Sequence, residues 1–111
     1  MERILEQALL YDFYGELLTA HQKQVYEDVI LNDYSLSEVA DDLGITRQGV
    51  HDMIKRCNKL LEGYEGKLHL VEKFISLREQ VGRIQRIAKA QAGNPSMEEI
   101  GKISAEILEG L

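Results

Sequence analysis

Apolar residues recur along the chain with helical spacing, in stretches separated by short polar turns. Over residues 2–14, Ile4, Leu5, Ala8 and Leu9 predict a first helix with that face buried, and Gly15 weakens its continuation. Thr19 followed three residues later by Gln22 forms a capping-box pattern, in which each side chain satisfies a backbone donor left free at a helix start. A second helix therefore opens near Ala20, carries Val25, Tyr26, Val29 and Ile30 as one stripe, and ends around Asn32 and Asp33. Ser35 and Glu38 repeat the device before Leu36, Val39, Ala40 and Leu43, a short third helix stopped by Gly44. Thr46 caps a fourth, bearing Val50, Met53, Ile54, Cys57, Leu60 and Leu61, and the two glycines of EGYEG at 62–66 predict its break.

Beyond that break, Leu70, Phe74, Leu77, Val81, Ile84 and Ala88 are spaced 4, 3, 4, 3, 4, the heptad pattern of a long fifth helix. Such a seam suits pairing between two copies, giving a homodimer, or packing within one chain. Gly93, Asn94 and Pro95 end this helix, and Ser96 with Glu99 is expected to cap a last one whose Met97, Ile100, Ile103, Ile107 and Leu108 share a face. Apolar and polar residues nowhere alternate over a strand-length run. The fold class is all-α, organised as residues 1–62 (a helix-turn-helix domain with an N-terminal helix), 67–92 (a long helix for dimerisation or packing) and 96–111 (a C-terminal helix).

The third and fourth helices match the twenty-residue helix-turn-helix pattern starting at Leu36. Its fifth position, where the helices cross closely, is Ala40, and its ninth, which favours a left-handed backbone, is Gly44. Val39, Leu43, Ile45, Val50 and Met53 hold the inward positions, so Ala40 and Ile45 are expected to share a buried core with Val50.

Composition leaves this picture intact. With 111 residues, 44% hydrophobic and 29% charged, the chain suits one compact domain with a helical extension. Cys57 is the only cysteine, which excludes an internal disulfide and suits a reducing compartment. The acid-bearing start resembles no signal peptide, and no run approaches the roughly 18 apolar residues of a membrane span. A cytoplasmic protein without membrane insertion is expected.

Charge does change the picture. A net charge of −6 opposes nucleic-acid binding, yet residues 1–43 hold ten acids and two bases, whereas residues 46–60 hold Arg47, Lys55, Arg56 and Lys59 against Asp52 alone. Residues 67–89 are basic too, with Lys67, Lys73, Arg78, Arg83, Arg86 and Lys89 against Glu72 and Glu79. If the fourth helix enters a major groove by its N-terminal end, Thr46 and Arg47 lead, Arg47 can pair with guanine, Gln48 with adenine, and His51 follows one turn along. Lys55, Arg56 and Lys59 would contact phosphates. Gly49 lowers helix propensity by about 1 kcal/mol relative to alanine, Asp52 would repel phosphate unless it accepts from cytosine, and Asp41 and Asp42 add to the repulsion.

Catalysis and cofactors find no such pattern. Cys57 follows His51 by six residues, which turns the two about 120° from a shared helix face, and a buried thiol is the simpler expectation. His21, His51 and His69 lack the carboxylate and cysteine spacing of a metal site, there is no glycine-rich phosphate loop, and no cofactor is called for. The tyrosines at 11, 14, 26, 34 and 64 are expected at helix junctions with their hydroxyls in water.

The run LLTAHQKQVYEDVILNDYSLSEVADDLGITRQGVHDMIKR resembles region 4 of bacterial sigma factors, through its SLSEVADDLGIT core and the RQGV that follows. Continued through KLLEGYEGKLHLVEKF, the chain resembles the YlxM family of small helix-turn-helix proteins over residues 1 to about 90. The resemblance implies a trihelical helix-turn-helix core, similar to sigma region 4 and to winged-helix domains without the wing. It also implies a regulatory or accessory role in the signal recognition particle pathway, because the family's genes lie beside those of the particle's GTPases. Implied partners are DNA or RNA and components of the particle. Carried over position by position, the sigma-like recognition segment falls on Thr46, Arg47, Gln48, Val50 and His51, with Gly49 and Asp52 departing from that pattern.

Overall fold

A computed structural model describes residues 3–111, all of it helix and turn, without strands among the described residues. Glu2, where the sequence opens the first helix, lies outside them. The helices are α1 (Arg3–Tyr14), α2 (Ala20–Tyr26), α3 (Leu36–Leu43), α4 (Arg47–Leu68), α5 (Leu70–Ala90) and α6 (Pro95–Gly110). A 3-10 turn, Gly15–Leu17, follows α1, and α2 runs on into a π-helical segment, Glu27–Leu31. The chain forms two compact units, one reaching to Val71 and the other Glu72–Leu111.

Local chemistry sets most helix ends. Both capping boxes form: Thr19 Oγ accepts from the Gln22 amide and Ser35 Oγ from the Glu38 amide, each returned by the partner side chain. Gly44 closes α3 at φ +69°, and the amides of Gly44 and Ile45 return to carbonyls of Asp41 and Ala40. The last helix is capped differently from the expectation. Asn94, not Ser96, is the N-cap, its Oδ1 accepting from the Ser96 and Met97 amides at 3.0 and 3.4 Å, because Pro95 already fits the first helical position.

In the first unit, Val50, Ile54, Cys57 and Leu61 form a fully inward stripe of α4 that packs on α1, α2 and α3. Val39 and Ala40 of α3 and Val25 and Tyr26 of α2 complete this core. The helix-turn-helix thus stands on Val39, Ala40 and Val50. Leu43 and Ile45 depart from their inward assignment, being 37% and 42% exposed, and Met53 is only half-buried. Both exposed residues flank the left-handed turn at the rim of the core, beyond the side chains of the crossing point.

Three further differences share one cause, tertiary packing overriding local preference. Helix α4 does not break at 62–66 but continues through Gly63 and Gly66 to Leu68. Two glycines cost roughly 2 kcal/mol of propensity. Against that stand buried Leu61, the Tyr14–Tyr64 ring contact at 6.1 Å and the bond from Tyr14 to Glu65. On α1 the inward residues are Leu10 and Tyr14, whereas Ile4 and Leu5 are 64% and 56% exposed, so the buried face is rotated from the expected one. Nor do all tyrosine hydroxyls reach water: Tyr11 donates to Glu27, Tyr14 to Glu65, and Tyr26 to Asn58 Oδ1 at 2.6 Å.

The chain passes from α4 to α5 through one residue, His69, at φ +57°. Two amides at the start of α5 are satisfied from afar: the Leu70 amide donates to the Tyr14 hydroxyl at 3.1 Å and the Val71 amide to Glu65 Oε1 at 2.9 Å. In the second unit, α5 and α6 are joined by residues 91–94 and meet closely, since a Cβ added to Gly101 would lie 3.3 Å from that of Ala88. Val81, Ala88 and Ser104 are buried there. The expected seam is therefore divided. Val81 and Ala88 are covered within the chain and Phe74 is half-buried, while Leu70, Leu77 and Ile84 are 41%, 42% and 45% exposed.

Candidate nucleic-acid interface

The turn at Gly44 fixes where α4 begins, and Thr46 fixes how. Its backbone is extended and its hydroxyl accepts from the Gly49 amide at 3.0 Å, so the threonine marked for recognition serves first as a helix cap. Gly49 sits tightly against that cap: an added Cβ would lie 3.2 Å from Thr46 Oγ1. With Val50 wholly buried, Arg47, Gln48, His51, Lys55, Arg56 and Lys59 are all exposed. Arg47, His51 and Lys55 follow at four-residue intervals along one face, whereas Arg56 is turned about 100° from Lys55 and stands apart. Among the described residues, none of the four cations is ion-paired.

Asp52 has a role the sequence did not suggest. Its Oδ1 accepts from Gln48 Nε2 at 3.0 Å and lies 3.8 Å from His51 Nδ1. That bond uses one of the two amide hydrogens of Gln48, leaving one hydrogen and the carbonyl oxygen, the pair that adenine recognition requires. The carboxylate orients the side chain as well as subtracting a charge.

Two shallow grooves flank His51. One, of about 410 Å³, is lined by Leu36, Arg47, Gln48 and His51. The other, of about 440 Å³, is lined by Arg3, Gln7, His51, Ile54, Lys55 and Asn58. Asn58 Oδ1 ties the wall of the second together, accepting from Gln7 Nε2 at 3.3 Å and from the Tyr26 hydroxyl. Burial raises the pKa of Tyr26, and Arg3 is near enough to oppose that shift. Arg3 thus joins the line of Arg47, His51 and Lys55. Nothing near Arg3 in sequence signals this, because only the packing of α1 on α4 brings it there.

His69 departs from the expectation that it lacks a carboxylate neighbour, since a ring nitrogen of His69 and a carboxylate oxygen of Glu65 lie within 4.8 Å of each other. Cys57 is wholly buried, and burial raises the pKa of its thiol, disfavouring the thiolate a nucleophile needs. No described helix is long and apolar enough to cross a membrane.

Comparison with known proteins agrees with this architecture. The family model of UPF0122, described as "Putative helix-turn-helix protein, YlxM / p13 like", matches residues 1–102. A UPF0122 protein of Caldanaerobacter subterraneus is 49% identical over 77 residues, covering 69% of this chain and 66% of its own. One from Acetivibrio thermocellus is 44% identical over 90 residues, 81% of this chain and 77% of the relative. The UPF0122 protein YlxM of Bacillus subtilis is 38% identical over 111 residues, 100% of this chain and 97% of the relative. With the helix-turn-helix standing on Val39, Ala40, Gly44 and Val50 and the family model covering nearly the whole chain, this protein belongs to the UPF0122 family of YlxM-like helix-turn-helix proteins.

Proposed function

We propose that the chain is a cytoplasmic regulatory protein that acts by binding rather than by catalysis, with the N-terminal half of α4 in the major groove of a nucleic-acid duplex. What carries the reading is the outward face of α4, where Arg47, Gln48, His51 and Lys55 stand exposed on a helix anchored by wholly buried Val50. Arg47 and Gln48 read base edges, and Lys55, Arg56 and Lys59 hold phosphates. Three phosphate contacts give a salt slope near −2.7, so affinity falls about 40-fold between 50 and 200 mM salt. Fluorescence anisotropy with labelled DNA duplexes and RNA hairpins tests this. Arg47→Ala should weaken binding about 10- to 100-fold and relax sequence preference, while Lys55→Ala weakens all sequences alike. Binding that ignores salt and both substitutions refutes the surface.

A second reading is supported by the exposed bases Lys67, Lys73, Arg78, Arg83, Arg86 and Lys89. It makes the chain an accessory of the signal recognition particle that touches the particle's RNA or a GTPase. Pull-down with purified particle components, lost for Arg86→Glu with Lys89→Glu, supports it, and retention without either base, or no capture at all, removes it.

A further inference from the structure

The second unit leaves a large apolar surface uncovered. On α6, Met97, Gly101, Ser104 and Leu108 form the stripe that is buried or half-buried, and the stripe beside it is not covered. Ile100, Ile103 and Ile107 on that stripe are 39%, 48% and 43% exposed, and Leu111, just past the end of α6, is 42% exposed. On α5, Leu77, Ile84 and Ile87 are likewise 42%, 45% and 57% exposed beside buried Val81 and Ala88. Taking roughly 80 Å² for each half-exposed aliphatic side chain, the seven present about 560 Å² per copy. That is as large as the biggest patch of an ordinary monomer, about 300–600 Å². Two such faces together remove about 1,100 Å², which the stems of flanking charged residues bring to the roughly 1,200 Å² at which specific interfaces begin.

Charge decides what fits. Helix α5 carries Lys73, Arg78, Arg83, Arg86 and Lys89 against Glu72 and Glu79, a balance of +3. Helix α6 carries Glu98, Glu99, Glu106 and Glu109 against Lys102, a balance of −3. Pairing α5 with α5 of another copy, the arrangement the heptad pattern alone suggests, sets like charges together. Pairing α5 with α6 sets opposite ones together and covers both apolar stripes. We propose that a second copy of this chain covers the exposed face, α6 of each copy lying on α5 of the other in a reciprocal, two-fold dimer. Lys73 and Arg83 border the stripe on α5, and Glu99 and Glu106 border the stripe on α6; all four are exposed.

The test is sedimentation equilibrium on the full chain at 0.1–100 µM (about the range resolving micromolar affinities), with circular dichroism to verify helix content. The wild-type chain should be a dimer, and Ile103→Glu with Ile107→Glu should weaken association at least about 100-fold. Charge reversal supplies the independent arm should the apolar variant lose its fold. One variant carries Lys73→Glu with Arg83→Glu, and another carries Glu99→Lys with Glu106→Lys. Each alone should dimerise about 10- to 100-fold more weakly, and an equimolar mixture should recover dimers, because both contacts of the mixed pair then join opposite charges. A wild-type monomer overturns the proposal. So does a Glu99→Lys/Glu106→Lys chain that dimerises as well as wild type, which assigns the seam to α5 alone, or a mixture that gains nothing, which assigns the face to another occupant.

Discussion

Replacing Tyr14 by phenylalanine removes one oxygen atom and disturbs three helices at once. The ring is 1% exposed and its volume is kept, so packing against Tyr64 survives. What disappears is a hydroxyl that donates to Glu65 and accepts from the Leu70 amide at 3.1 Å. The amide is left without an acceptor at the start of α5, and the carboxylate keeps the Val71 amide at 2.9 Å but loses its phenol. A donor left unsatisfied in a part-buried position costs toward the low end of about 1–3 kcal/mol and a charge-assisted bond adds a similar amount, with water recovering part of both, so about 2 kcal/mol of destabilisation is expected. For a chain of this size that lowers the midpoint of thermal unfolding by roughly 6–12 °C. Urea denaturation followed by circular dichroism gives the free energy, with Tyr34→Phe, at a 47% exposed tyrosine, as the control. Amide hydrogen exchange should show Leu70 and Val71 accelerated in the variant. A Tyr14→Phe chain as stable as the control, with both amides protected as before, refutes the claim that α1 holds the start of α5.

Gly44 has open space where a Cβ would sit but a φ of +69°, so Gly44→Ala should cost about 1–2 kcal/mol by backbone strain alone, with Gly44→Asn less damaging and Gly44→Val more so, measured by urea denaturation. Stability should also fall in alkali. Burial first, and for Tyr11 and Tyr14 a bond to a carboxylate second, raises the phenol pKa of Tyr11, Tyr14 and Tyr26 above the ordinary 10.0. The folded state therefore holds protons that the unfolded chain releases, so this stabilisation is complete below pH 10 and lost progressively above it. Thermal melts from pH 8 to 12 should show that decline (about 1.4 kcal/mol per unit for each phenol still protonated only when folded), and Tyr26→Phe should make it shallower.

How far the sequence announces the structure depends on the range of the forces involved. Thr19 with Gln22, Ser35 with Glu38, Thr46 and Gly44 act within one turn of backbone, and each marks the helix end it predicts. The continuation of α4 through Gly63 and Gly66 is decided by Tyr14, some fifty positions earlier, and no local rule contains that contact. Ile45 fits the helix-turn-helix pattern but sits where the turn meets the edge of the core, so its identity is legible and its burial is not. At the candidate interface, Arg47, Gln48, His51 and Lys55 are legible because helical spacing aligns them. Arg3 and the Gln48–Asp52 bond are not, the first arising from helix packing and the second from the choice of one rotamer. The heptad of α5 identifies an apolar stripe without saying which half α6 covers.

The π-helical segment Glu27–Leu31 has a consequence for how this chain can change in length. Its Asn32 amide reaches back five residues to the Glu27 carbonyl at 2.8 Å, so this turn holds one residue beyond what an α-helix would use. Deleting one residue among Asp28, Val29 and Ile30 would let the turn relax to ordinary α-geometry while the segments on either side keep their facing. The same deletion in the middle of α4 would swing every later side chain by about 100° and empty the core. The chain thus carries a built-in spare position, a local swelling of one turn whose removal would leave the facing of the rest unchanged.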